Sequence, residues 1–388
     1  MATPLSADGE MDEAVWGARV GTIAALEHEL MRLRRAATAH AKEQGRTVAR
    51  ASVLNLVVYA DREVHARRAV ESTGRLAYRH PSRAIVILGD REREGVSAEV
   101  LLHCHVPRAD ESAEVYFEQI LARVRGDADE RVASVVIPLL VPDLPTFLWW
   151  TGTPPSDARR FDDLLDLADR LIVDSADFAH AGRTLAVISE LARTRSGRRF
   201  GLTDLNWTRL TPWRELIAAF FDVEAWRPGL DGIVGVRIGF AVDVDGRDIH
   251  PTQALLLVGW LASRLGWQGV DRVAPAEAGG LLFTMANADD KPIQVRVRPR
   301  FERGLDVGDV SGVRIQARHA DDLFEFVLKR DPDPRHITAS VLVNGEPRSR
   351  RVLPLPEPGI DDLLREELSI VGSDRVFEDA LHALVALA

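Results

Sequence analysis

The spacing of apolar residues changes once along this chain, and that change constrains the fold more than any motif does. Ser52–Ala60 (SVLNLVVYA) and Arg83–Leu88 (RAIVIL) are nearly unbroken apolar runs rich in Val and Ile. A strand of that kind needs cover on both faces, which a parallel sheet flanked by helices provides. Downstream, Val234, Val236, Ile238 and Phe240 alternate with Gly235, Arg237 and Gly239. Period-two alternation returns at Val295 and Val297, at Val313, Ile315 and Ala317, and at Phe324, Phe326 and Leu328. Such segments read as antiparallel strands with one wet face. The expected fold is therefore an α/β N-terminal domain with a mostly parallel sheet, followed by an α+β domain with an antiparallel sheet.

The elements between these runs give three segments. Residues 1–46 form an N-terminal segment with an amphipathic helix over Arg19–Gln44, where Ile23, Leu26, Leu30, Leu33 and Ala37 recur at helical spacing and Gly45 stands at the C-cap. The α/β domain, 47–178, is expected to hold helices at Asp61–Ala77, Ser112–Arg125 and Asp157–Arg170. Its further strands are expected at Val100–Val106, Val132–Leu140 and Leu171–Val173. The α+β domain, 179–388, carries helical patterns at Arg183–Arg193, Thr211–Phe221, Thr252–Leu265, Ile360–Ile370 and Arg375–Leu387.

Bulk properties exclude several roles. A net charge of −10 argues against nucleic acid, whose binders need a basic face to displace counterions. The longest apolar stretch, Ala254–Ala262, is far short of the roughly 20 residues that span a bilayer. Acids in the first residues and the lack of an apolar run there speak against a signal peptide, so a cytoplasmic protein is expected. The single cysteine, Cys104, leaves no intrachain disulfide to form.

Catalytic motifs are missing. The sequence has no phosphate-loop signature, no G-x-G-x-x-G turn, no nucleophile elbow and no zinc helix. His103 and His105 would share a strand face, yet no third ligand stands at a useful spacing, and Cys104 reads as a small buried residue. Asp243, Asp245 and Asp248 resemble part of a calcium loop but lack its glycine position and closing glutamate, which favours a turn on Asp245-Gly246. Arg193, Arg195, Arg198 and Arg199 could hold an anion, although a solvated segment after a helix C-terminus is the simpler reading. In GIVGVRIG (Gly232–Gly239) the glycines are expected to admit a close neighbour. No catalytic residue, cofactor or metal is expected.

Seven of the eight tryptophans lie between Trp149 and Trp267. Trp149 and Trp150 are adjacent, so on an extended segment they face opposite ways. Trp207 and Trp213 flank a turn where Thr211 suits an N-cap and Pro212 a first helical position. Trp and Arg dominate binding hot spots. As a set, Trp149, Trp150, Trp207 and Trp213 are expected to be apolar anchors of a recognition surface, with Asp204, Arg209 and Arg214 as polar orienting groups.

HPSRAIVI (80–87), VVIPLLVPDLPTFLWWTG (135–152), DLNWTRLTPWRELIAAFFD (204–222) and ALLLVGWLASRLGW (254–267) together resemble the OpcA family of glucose-6-phosphate dehydrogenase assembly proteins. The resemblance implies a non-catalytic partner that binds glucose-6-phosphate dehydrogenase, promotes its active oligomer and serves NADPH supply in the pentose phosphate pathway. It also implies thioredoxin control through cysteines in relatives from oxygenic phototrophs, which one cysteine cannot support within this chain. The alternatives are a sugar-phosphate-binding protein or enzyme with a Trp/Arg-lined cleft, using Arg195, Arg198 and Arg199, or a scaffold without kinetic effect.

Overall fold

A computed structural model describes the chain except residues 1–4, 7–12, 44, 46, 51, 78–79, 91–94, 106–112, 156–157, 179–183, 195–200, 247–248, 277–279, 371 and 386–388. The chain forms two compact units that are discontinuous in sequence. The first comprises Met1–Asp174, Arg198–Thr203 and Gly359–Ser373; the second comprises Ser175–Gly197, Asp204–Pro358 and Asp374–Ala388. Local patterning leads to linear boundaries near residues 46 and 178, because it cannot show a late segment returning to an early sheet.

The first unit is built on a ten-stranded sheet. Its parallel core runs, in spatial order, Ala113–Arg125, Ser82–Asp90, Leu54–Ala60, Thr146–Trp150 and Arg170–Val173. Gly201–Asp204 follows on that side, and the antiparallel strands Gly95–His105 and Glu13–Val20 extend the other. Numbered along the chain from Leu54–Ala60, with the antiparallel Gly95–His105 left out and Gly201–Asp204 as the sixth, these strands have the 3-2-1-4-5-6 order of doubly wound sheets. The central strands Leu54–Ala60 and Thr146–Trp150 are buried at every residue, as the unbroken apolar runs require. The helix Ile23–Glu43 turns Leu26, Leu30, Leu33, Ala37 and Ala41 inward at three- and four-residue spacing.

Two elements differ from expectation. Ala113–Arg125 is a strand, not a helix. Tyr116, Ile120 and Val124 lie four apart, a spacing that helix and strand share, and the buried Glu118 between them hides the alternation. Glu118 is ion-paired with Arg34 and Arg83, so its charge is tolerated inside. Val132–Leu140, expected as a strand, instead holds a short α-helix (Val132–Val136) followed by a 3-10 turn (Ile137–Leu139) that together bury Val132, Val136 and Leu139 and expose Ile137. The strand instead forms at Thr146–Trp150.

The second unit holds a nine-stranded sheet, mostly antiparallel. Its central strand Ile233–Val242 pairs parallel to Pro292–Phe301 and antiparallel to Val310–His319. Asp322–Arg330, His336–Val343 and Glu346–Pro354 continue as a meander, and Leu281–Ala286 flanks the other side. Val236, Ile238, Phe240, Val295, Val313 and Ile315 fill one face. The helices Thr211–Phe221 and Thr252–Leu265 pack on that face, with Phe220 and Phe221 against Phe326. A Cβ on Gly232 would lie 1.9 Å from the carbonyl oxygen of Arg318, the close approach expected there. The turn on Asp245-Gly246 also forms, with Gly246 at φ +64°; Asp248 lies outside the described residues.

Arg170, 1 % exposed, ties the returning segment to the first unit. Its guanidinium donates to Thr203 Oγ1 (3.1 Å) and to the carbonyls of Ile370 and Gly372, and it pairs with Glu367 at 3.3 Å. Thr203 Oγ1 in turn donates to Glu367 at 2.8 Å. Breaking one partner of such a buried pair costs about 3–5 kcal/mol because the other charge is stranded. Arg170→Met should therefore lower thermal stability severely, and adding Glu367→Met should recover part of the loss; calorimetry of the two variants checks this.

Candidate functional site

Doubly wound sheets bind dinucleotides at the carboxyl ends of the strands where the order reverses, here between Leu54–Ala60 and Thr146–Trp150. That position is filled from within. The Tyr59 ring stacks on Trp150 at 4.3 Å, and Phe161 meets Trp150 edge-on at 4.8 Å. Tyr59 Oη donates to Asp129 Oδ1 at 2.9 Å. A Cβ on Gly89 would stand 2.3 Å from Tyr59 Oη, so only glycine admits this contact. The turn that follows the first core strand is Asp61-Arg62 and contains no glycine. Asp61 and Glu63 place carboxylates at the start of the helix Glu63–Leu76, where a phosphate would need bare N–H groups.

The second unit gathers the Asp204–Asp222 motif into a buried network. Asp204 is fully buried and accepts from Ser175 N (2.9 Å), Ser175 Oγ (2.6 Å) and Asn206 N (3.0 Å). It caps the short helix Leu205–Thr208, so the N-cap of this region is Asp204; the helix Thr211–Phe221 begins after Leu210 without a side-chain cap. Thr211, expected as that cap, instead accepts from Arg214 at 2.8 Å. Gln253 extends the network, donating to Asn206 Oδ1 (2.8 Å) and Asp309 Oδ1 (3.1 Å) and accepting from Val310 N (3.1 Å). Trp207 donates its indole N–H to Asp374 at 2.9 Å, touches Phe377, and carries the Arg214 guanidinium 3.6 Å above its ring.

Beside this network is a cavity of about 180 Å³ lined by Arg209, Trp213, Gln253, Asp306, Asp309 and Arg330. Arg330 lies 5.7 Å from the Trp213 ring centre and bridges to Glu357. Burial holds the Asp309 carboxyl above its usual range, against the opposing pull of Arg330 and the Gln253 hydrogen bond. The cavity mixes carboxylates and guanidiniums and can hold a small polar group.

The structure thus joins Asp204, Trp207, Arg209, Trp213 and Arg214 in one unit and sets Trp149 and Trp150 in the core of the other. The expectation of exposed tryptophan anchors is corrected: Trp149, Trp150, Trp207 and Trp213 are each 2–3 % exposed. Adjacent tryptophans can both be inside because a sheet covered on two faces has no wet side. Arg209 and Arg214 are half-buried. Ser175, Gln253, Asp309 and Asp374 escaped sequence reasoning because they lie 29 to 167 positions from their partners. Arg195, Arg198 and Arg199 lie outside the described residues, as do the side chains of Arg193, Cys104 and His105. His103 stacks on Phe117 at 4.6 Å and bonds Gln119 at 3.2 Å. Among the described residues no group of three His, Cys, Asp or Glu could hold a metal, and no helix is long and apolar enough to cross a membrane.

The raised Asp309 pKa has a definite sign. A folded-state carboxyl that binds its proton more tightly than the unfolded chain destabilises progressively as pH rises from the unfolded value through the folded one. Asp309→Asn removes that penalty. Its melting temperature relative to the parent should rise between pH 4 and pH 7, and a difference independent of pH would contradict the assignment.

Two family models match this chain. One, described as the glucose-6-phosphate dehydrogenase subunit N-terminal domain, matches residues 73–190; the other, the corresponding C-terminal domain, matches residues 200–381. A relative from Synechocystis sp., provisionally named OxPP cycle protein OpcA, is 26 % identical over 80 % of this chain and 64 % of its own length. One of the same name from Nostoc punctiforme is 28 % identical over 79 % of this chain and 65 % of its own. The chain therefore spans just under two thirds of these relatives. In fold it is similar to glucose-6-phosphate 1-dehydrogenase from Mycobacterium avium, with a TM-score of 0.53 at 14 % identity, covering 87 % of this chain and 91 % of that one. The two family models together match well over half of the sequence, and the chain belongs to the OpcA family.

Proposed function

We propose that this protein is a non-catalytic assembly factor and allosteric activator of glucose-6-phosphate dehydrogenase, acting in the cytoplasm to raise NADPH supply. The observation that carries the reading is the family match through both units, to domains described as parts of that dehydrogenase's subunit. The filled crevice at Tyr59, Trp150 and Phe161 supports the non-catalytic part, since a dinucleotide would need that space and a glycine turn. A protein that does no chemistry activates by binding the competent state of its partner more tightly than the incompetent one. A coupling of about 1–3 kcal/mol changes substrate affinity roughly 5- to 150-fold. In this reading Trp149, Trp150, Trp207 and Trp213 act by fixing the shape of their units, Asp204 by capping, and Arg209 and Arg214 by presenting polar groups near the surface.

A second reading is favoured by one observation, the cavity with Arg209 and Arg330 on its wall: a small polar ligand such as a sugar phosphate binds there. Its volume of about 180 Å³ is below the roughly 300 Å³ at which ligand pockets begin.

The deciding experiment assays the dehydrogenase of the same organism with and without this protein, alongside gel filtration of the mixture. The expected outcome is co-elution with a lowered KM for glucose 6-phosphate or a raised kcat. Absence of both, with a melting temperature raised by glucose 6-phosphate alone, would move the ligand reading to first place.

A further inference from the structure

The sheet of the second unit packs one face against helices and exposes Arg237, Arg298, Arg300, Arg314 and Lys329 on the other, a cationic face although the whole chain carries −10. Strand register places Arg237 beside Arg296 and Arg314, Gly239 beside Arg298 and Gly312, and Gly312 beside Lys329. Arg300 follows opposite Ala241. All six cations point to the same side because they occupy alternate positions of strands whose other positions fill the core. Among the paired positions of that side stands one carboxylate, Glu325, and it is already bonded to Arg314 and Gln316. Arg237, Arg296, Arg298, Arg300 and Lys329 make no ion pair with a described residue.

The face has the dimensions and the chemistry of a protein contact. Seven strands spaced ~4.8 Å apart and about eight residues long at ~3.3 Å each cover roughly 900 Å², close to the ~800 Å² that one partner contributes to a standard interface. Two adjoining shallow concavities, of about 370 and 670 Å³, share Glu302, Val327 and Lys329 on their walls, so one carboxylate at the end of the strand Pro292–Phe301 stands beside the cations without an ion pair to them. Phe301, which lines the larger concavity, is 52 % exposed, and Val352 on the outer strand is 59 % exposed, which adds apolar area beside the cations. Arginine with interleaved apolar contact is a hot-spot composition. A second copy of this chain is the wrong occupant, since two such faces would set like charges against each other.

We propose that this arginine-lined sheet face is where the partner docks, and that it seats a carboxylate-rich face of the dehydrogenase. The inference rests on the function proposed above and adds the surface and its charge. Arg237, Arg298 and Arg300 supply the unpaired cations, and Gly239 and Gly312 keep the floor low between them. Attraction of this kind speeds encounter and makes binding weaken as salt rises.

The test uses the full-length protein with Arg237→Glu, Arg298→Glu and Arg300→Glu combined, against the dehydrogenase, by calorimetric titration and gel filtration. Unchanged circular dichroism and melting temperature establish folding; if the triple variant fails there, Arg237→Gln/Arg298→Gln replaces it. The expected result is affinity weakened at least ~10-fold, with unaltered binding in a charge-matched control carrying Arg19→Glu, Arg32→Glu and Arg159→Glu. Binding of the wild-type protein should fall as sodium chloride is raised. Unchanged affinity in the folded face variant would overturn this surface and leave the function standing. Failure of the wild-type protein to bind the dehydrogenase at all would overturn both. Retained dehydrogenase binding with loss of affinity for a fluorescent DNA duplex would assign the face to polyanions instead.

Discussion

A guanidinium buried to 1 % exposure is the constraint around which the first unit closes. Arg170 lies on a strand of the sheet, and its bonds reach Thr203, Glu367, Ile370 and Gly372, residues from two segments that return after long excursions through the other unit. Desolvating a guanidinium costs several kcal/mol, which only a full set of acceptors offsets. The arrangement therefore cannot form piecemeal: the sheet, the 198–203 segment and the helix Ile360–Leu368 are stable together. Asp204 plays the matching part in the second unit, gathering Ser175 and Asn206 immediately after the chain enters it.

Buried polar networks of this kind explain why the most recognisable motif is mostly interior. Trp207 and Arg214 stack on each other, Asp204 caps a helix, and Gln253 spans from Asn206 to Asp309. A fully satisfied network fixes one arrangement of the backbone, and a half-satisfied one is worse than an apolar core. The motif thus defines the shape of the unit, and the open surface is formed by residues outside it. The doubly wound first unit makes the same point in reverse. It keeps the strand order of a dinucleotide fold and occupies the ligand crevice with Tyr59, Trp150 and Phe161.

How far the sequence could be read depended on the interaction range of each element. The helices Thr211–Phe221 and Thr252–Leu265 were legible because an apolar stripe repeats locally. The strands from Ile233 to Arg330 were legible because one face of each meets water. Ala113–Arg125 was not, since its identity as a strand is settled by Ser82–Asp90 and Gly95–His105 pairing on either side and by Arg34 and Arg83 neutralising Glu118. The candidate site was half legible: Asp204, Trp207, Arg209, Trp213 and Arg214 do meet, although as framework, while Gln253, Asp309 and Asp374 come from distant parts of the chain.

The sequence by itself determined the two kinds of sheet, the helices with a clear stripe, the missing catalytic motifs and the family, all of which rest on local order of residues. Tertiary structure alone decided that adjacent tryptophans could both be buried, because a sheet covered on two faces has no solvent side. It also decided that arginines scattered from 237 to 314 would form one cationic face. Alternation fixes which residues of a strand face water, but only register fixes which strands lie side by side.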